Sequence, residues 1–372
     1  MAGAVNTGRH RHPATVGLTR AMALLLALAG AAAMLMLRPA AHGPSASATS
    51  TTETFEQAYP GAKAELVKKT TDDGARLTPL FFADAKRFVG TASAEDGAVR
   101  FLLVTETGER ELRRLPKVNT PEFAGFALDG DLLVWMELTT TPDGPAKTSL
   151  WAIDNFAAAP RLITSDTGDV ALFDKRDDIV IHDGQLSWIS IAPTEEPTTE
   201  VRTVALTGGP VDVRQQQGAF SFVGWPWLSS VNTPLDGPVE LRNLESEERV
   251  VIGVQANELM ACSPKWCRAI IISTTGESTI IELLTTDGRK RLRTATGNVA
   301  ASIVDVALLD RFEVYSRGGG NLTLYDLELN KTVTIAANIG QVASRGPVLW
   351  WSTGDNETTQ WRVLDLRTLI KS

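Results

Sequence analysis

From about Tyr59 onward the chain alternates apolar and polar residues in short runs, broken every few positions by Gly, Asp, Asn, Pro or Thr. No stretch there keeps a 3.6-residue apolar period for the ten or more residues that a helix needs, so the pattern predicts an all-β body. Residues 321–336 show the unit plainly, with two alternating strands around a polar turn at 329–331. Variants begin near Val99, Ser149, Val201, Val239, Thr279 and Gln360, spaced by roughly 38 to 52 residues. Upstream of most, a polar turn leads into a nearly continuous apolar run: 129–135, 177–181, 266–271, 310–315 and 346–351. A strand covered on both faces reads this way, which suits the second position of a propeller blade. The prediction is a β-propeller over residues 59–372, with seven blades and six or eight as alternatives. The seventh unit lacks a following strand. Residues 63–68 are expected to supply it, because an open ring would leave a long unpaired edge.

Ahead of this body, Arg9, Arg11 and Arg20 precede an apolar run over 21–37. As a helix those residues reach roughly 25 Å, the short end of a membrane span, and they carry no polar stripe. The charge bias predicts residues 1–20 in the cytoplasm and everything after the run outside. Residues 21–38 are read as a transmembrane anchor or signal sequence, so one N-terminal helix precedes the propeller. Arg38 ends the run, and the small-x-small site at 46–48 lies far beyond it, which favours an uncleaved anchor over secretion. Residues 39–58 are small and polar and read as a flexible Ala/Ser/Thr-rich tether. The expected location is the cell membrane, single-pass, with the propeller outside.

A net charge of −8 and the lack of a Lys/Arg cluster in the body argue against nucleic acid as a partner, since phosphate neutralisation dominates that binding. The two cysteines, Cys262 and Cys267, bracket Ser-Pro-Lys-Trp. In an oxidising compartment they read first as a disulfide; a thiol pair or half a metal site are the alternatives. With no second Cys pair and no nearby His, no metal is assigned. His182 is the lone histidine of the body and no nucleophile elbow accompanies it, so a strand end beside a turn is its expected place.

The acidic pairs Asp72/Asp73, Asp177/Asp178 and Glu195/Glu196 are expected as solvated turn charges, although two carboxylates converging at about 5–10 Å would permit glycosidase chemistry. The candidate binding residues are Trp225 and Trp227, with Asp355, Asn356 and Glu357. The two tryptophans point the same way if the segment is extended, and could stack on a sugar or a peptide or pack between blades. The acidic loop resembles an Asp-box turn, with a calcium site as one use. No catalytic residue and no cofactor is assigned.

The units at 128–135 and 324–335 resemble the blade repeats of TolB-like and WD40-like propellers. With its anchor, tether and Cys-Ser-Pro-Lys-Trp-Cys turn, the chain resembles the membrane-anchored or secreted TolB-like proteins of actinobacteria. It lacks the α/β domain that precedes the propeller in TolB itself, so a role in a Tol–Pal system is not implied. The resemblance implies a non-enzymatic extracytoplasmic propeller that mediates protein or cell-envelope interactions, with an unidentified protein or envelope partner. The alternative is a glycan-acting hydrolase or carbohydrate-binding propeller.

Overall fold

Seven antiparallel sheets follow one another along the chain, each built on strands that pair in chain order. The computed structural model describes residues 53–140, 144, 146–231, 237–273, 278–355 and 357–370. The expected cytoplasmic segment, the anchor and residues 39–52 of the tether lie outside these. Among the described residues no helix is long and apolar enough to cross a membrane.

The sheets are the blades of a seven-bladed propeller: residues 78–116, 122–164, 169–217, 220–252, 258–297, 299–336 and 339–365. Burial falls from the second strand outward, as the apolar runs imply. Leu133, Val134, Trp135 and Met136, in the second strand of blade 2, are all fully buried. Trp135 packs with Phe101 of blade 1, and Phe101 stacks on Phe123 with ring centroids 4.3 Å apart. Blades 1 and 2 thus share one aromatic core. The outer strand Asp212–Gln217 of blade 3 is exposed almost throughout.

Blade 7 takes its fourth strand from near the start of the body. Glu65–Leu66 pairs antiparallel with Gln360–Asp365, and Val67 N donates to Trp361 O at 2.9 Å. This is the closure that the sequence predicts. Blade 6 gains a fifth strand, Glu53–Thr54, parallel to Lys331–Ala336. A four-residue helix, Phe55–Ala58, follows it; its capping box is formed by Thr54 and Gln57. Phe55 and Tyr59 are buried, and Tyr59 Oη donates to Asp326 Oδ2 at 2.7 Å. Residues 53–58, expected at the end of the tether, therefore belong to the folded body.

One expected strand changes position. The run at 177–181 does not hold the second place in blade 3; that place belongs to Gln185–Ile191. The innermost strand is split instead into Asp169–Val170 and Ile179–His182, both paired with Gln185–Ile191. Val170 faces Ser190 and Ile179 faces Trp188, so residues 171–178 leave the sheet as an eight-residue excursion.

Antiparallel order puts the turns between first and second strands on one face of the ring and those between second and third strands on the other. The first face carries the excursion and the long connection 302–311 of blade 6.

Candidate functional site

The blade-3 excursion ties into three other blades. Lys175 Nζ donates to Ser221 Oγ of blade 4 at 2.9 Å. Arg176 N donates to Asp305 Oδ1 of blade 6 at 3.2 Å. Arg345 of blade 7 donates to the Asp174 carbonyl at 3.2 Å and also pairs with its carboxylate. Asp178, almost fully buried, accepts from Phe173 N at 2.8 Å and Lys175 N at 3.1 Å, which fixes the shape of the loop from within.

The blade-6 connection is held as firmly. Arg268 of blade 5 is buried against Glu313 and donates to the carbonyls of Ile303 at 3.0 Å and Asp305 at 2.5 Å. The other oxygen of Glu313 accepts from Ala307 N at 3.0 Å. Within the connection Ala307, Leu309 and Asp310 have left-handed φ of 48°, 55° and 56°. Non-glycine residues in that region cost about 1–3 kcal/mol each and cluster at functional sites.

These two segments, with the turns at Gly224–Trp225 and Ser263–Lys265, enclose a cavity of about 320 Å³. Arg176, Asp177, Trp225, Lys265, Asp305 and Asp310 supply its polar and aromatic wall. Asp177 is held in an ion pair by Arg176, with contacts of 3.0 Å. Asp305, also reached by Ser344 Oγ at 3.4 Å, has its carboxyl pushed above the ordinary range. Burial is the main cause and the charge of Asp177 adds to it, while the bond from Arg176 N opposes both. One cavity therefore holds a carboxyl that keeps its proton unusually late beside a carboxylate in an ion pair.

Of the residues singled out from sequence, Trp225 lines this cavity. Its ring stacks on His182 at 3.4 Å, and its Nε1 donates to Glu245 at 2.8 Å. Trp227 goes to the other side of blade 4 and packs beside Val250, Met260 and the cysteines. Trp225 packs instead with Phe222 and Leu228, so the two indoles do not form one face. His182 ends its strand beside the Asp183–Gly184 turn, as expected; its Ser187 neighbour, at 2.8 Å, is fully buried and out of a substrate's reach.

Asp355 and Glu357 lie between the second and third strands of blade 7, on the face opposite the cavity. Asp355 Oδ1 accepts from Glu357 N at 3.0 Å and from Thr358 N at 2.8 Å. That carboxylate shapes its own turn. Asn356 lies outside the described residues. Among the described residues no cluster of three or more His, Cys, Asp or Glu could hold a metal. Cys262 and Cys267 form the disulfide across paired strand ends, and their turn is a wall of the cavity.

The expectation of solvated turn charges fails at Asp177/Asp178: one lines the cavity and the other is buried. Sequence reasoning also missed Asp305, Arg268 and Lys175. The usable signal was the charged run at 174–178, set where an inner strand should be continuous.

No protein-family model matches the chain, and no curated protein matches it. Solved structures do. An oligogalacturonate lyase in complex with manganese superposes with a TM-score of 0.54 at 12% identity, covering 86% of this chain and 97% of the lyase. A Mycobacterium tuberculosis puromycin-hydrolyzing peptidase gives 0.52 at 14% identity, covering 84% of this chain and 55% of the peptidase. The β-propeller domain of the Trilobed protease from Pyrococcus furiosus gives 0.46 at 10% identity, covering 66% and 83%. At such identities the likeness establishes the fold, a seven-bladed propeller.

The expectation of a non-enzymatic protein is withdrawn, because the solved structures that share this fold include a lyase and a peptidase. The error has a physical source. Scarcity of histidine and of metal motifs says nothing about carboxylate chemistry, which needs neither.

Proposed function

We propose that this chain is a glycan-acting hydrolase whose site is the cavity lined by blades 3, 4, 5 and 6. The observation that carries the reading is the pairing of Asp305, half-buried and slow to ionise, with Asp177, held by Arg176 in the same wall. Glycosidic cleavage needs a proton donor for the leaving oxygen and a second carboxylate to act as base or nucleophile. Asp305 takes the first role and Asp177 the second. Trp225 offers an apolar surface to a sugar ring, and Lys265 and Asp310 (3.6 Å apart) supply hydrogen-bonding groups at the rim. That a propeller of this fold can serve a saccharide is illustrated by the oligogalacturonate lyase it resembles.

The purified protein, incubated with a panel of cell-wall and storage glycans, is expected to release new reducing ends from at least one. The rate should fall as pH rises through the elevated Asp305 pKa, because the donor must carry its proton. Asp305→Asn should lower kcat by about 10²–10⁴-fold. A full rate in that variant, or no cleavage across the panel, removes the reading.

The placement is part of the same proposal: an extracytoplasmic propeller tethered to the cell membrane through residues 21–38. Its supports are Arg9, Arg11 and Arg20 ahead of the apolar run, together with a disulfide suited to an oxidising compartment. TolB-like or WD40-like kinship is proposed on the units at 128–135 and 324–335.

A further inference from the structure

Lys175 has no part in the proposed hydrolysis, yet it lies in the cavity wall. Its backbone is fixed by Asp178, and the neighbouring Asp174 is held from across the ring by Arg345. Among the described residues its ammonium position has one hydrogen-bond acceptor, Ser221 Oγ at 2.9 Å, and the Phe173 ring centroid lies 5.8 Å away. A protonated lysine carries three N–H donors and seeks a carboxylate when buried; a neutral amine needs fewer partners and keeps a lone pair free. One acceptor and an aromatic neighbour fit the neutral form.

We propose that Lys175 is a carbonyl-capturing amine, which forms an imine with a small aldehyde or ketone admitted to the cavity. The Nζ lone pair bonds to the carbonyl carbon while the C=O π pair moves to oxygen. One nitrogen proton passes to that oxygen, giving a carbinolamine. The hydroxyl and the second nitrogen proton then leave as water, and the C=N bond remains. No oxidant or reductant is required. Burial draws the amine's pKa below the ordinary lysine value, against the opposing fields of Asp178, Asp305 and Asp177. That raises the neutral fraction available to attack.

The test uses the whole protein with glycolaldehyde as probe and cyanoborohydride to trap the imine, followed by peptide mass mapping. Lys175 is expected to be labelled at least about tenfold faster than exposed lysines, saturably, with a rate that levels off at lower pH than theirs. Lys175→Met, shown to be folded by circular dichroism, should lose the fast, saturable phase and leave the slow surface labelling unchanged. Labelling of Lys175 no faster than that of exposed lysines, or a fast phase that survives Lys175→Met, overturns the proposal. The readout does not depend on glycan turnover, so this inference and the hydrolase reading fail separately.

Discussion

Asp178 shows how one buried side chain sets the chemistry of its surroundings. Burial pushes its carboxyl up to about 6, although two backbone N–H bonds favour the charged form. A raised carboxyl pKa means that the folded state holds its proton where the unfolded chain has lost it. The contribution of Asp178 to stability is therefore present at low pH and is lost as pH rises from the ordinary carboxylate range towards 6, by up to about 3 kcal/mol. Urea unfolding at pH 5 and pH 7 should show this as a stability difference that shrinks in Asp178→Ala; an unchanged difference would sink the assignment. The charged run at 174–178 marked the place in the sequence but not which of its aspartates turns inward. Asp177 and Asp178 are neighbours in a charged run, and only the departure of 171–178 from the sheet sends one to the cavity and the other inward.

At the scale of strands and turns, legibility followed regularity. All seven third strands are where the alternating pattern put them, because each needs one face on the core and one towards the next blade. First strands escaped where they are too short to show a period, such as Phe220–Phe222 and Val299–Ala301. The site escaped because it is made of an excursion within one first strand and of first-to-second connections, whose shape comes from contacts with other blades. The Cys262–Cys267 turn is the exception, since a disulfide is the first reading of that pair in an oxidising compartment and is what forms. Its loop is short, so replacing both cysteines by alanine should cost about 2 kcal/mol. The urea midpoint should drop without a change in slope, and the ligand affinity of the cavity should weaken because residues 263–265 form its wall. Loss of the whole fold on that change would show that the bond does more than hold one turn.

For the whole molecule, the decisive contact is a small one. A two-residue strand, Glu65–Leu66, joins the first part of the body to the last blade and makes an arc into a ring. Val67→Pro removes the N–H that bonds to Trp361 and disturbs a buried side chain, at a cost of about 2–3 kcal/mol. Hydrogen exchange should quicken across Gln360–Asp365 and stay unchanged in Gln185–Ile191 of blade 3; uniform quickening would mean that the ring unfolds as one body.

The same closure imposes an order in time. The partner of Glu65–Leu66 is synthesised roughly 300 residues after it, a wait of about 15–60 s at ordinary translation rates. Throughout that interval the growing arc of blades has two open edges, and neither edge can be satisfied locally. The ring becomes a ring in a single late event. Until then the nascent chain depends on whatever shields those edges from a second copy of itself.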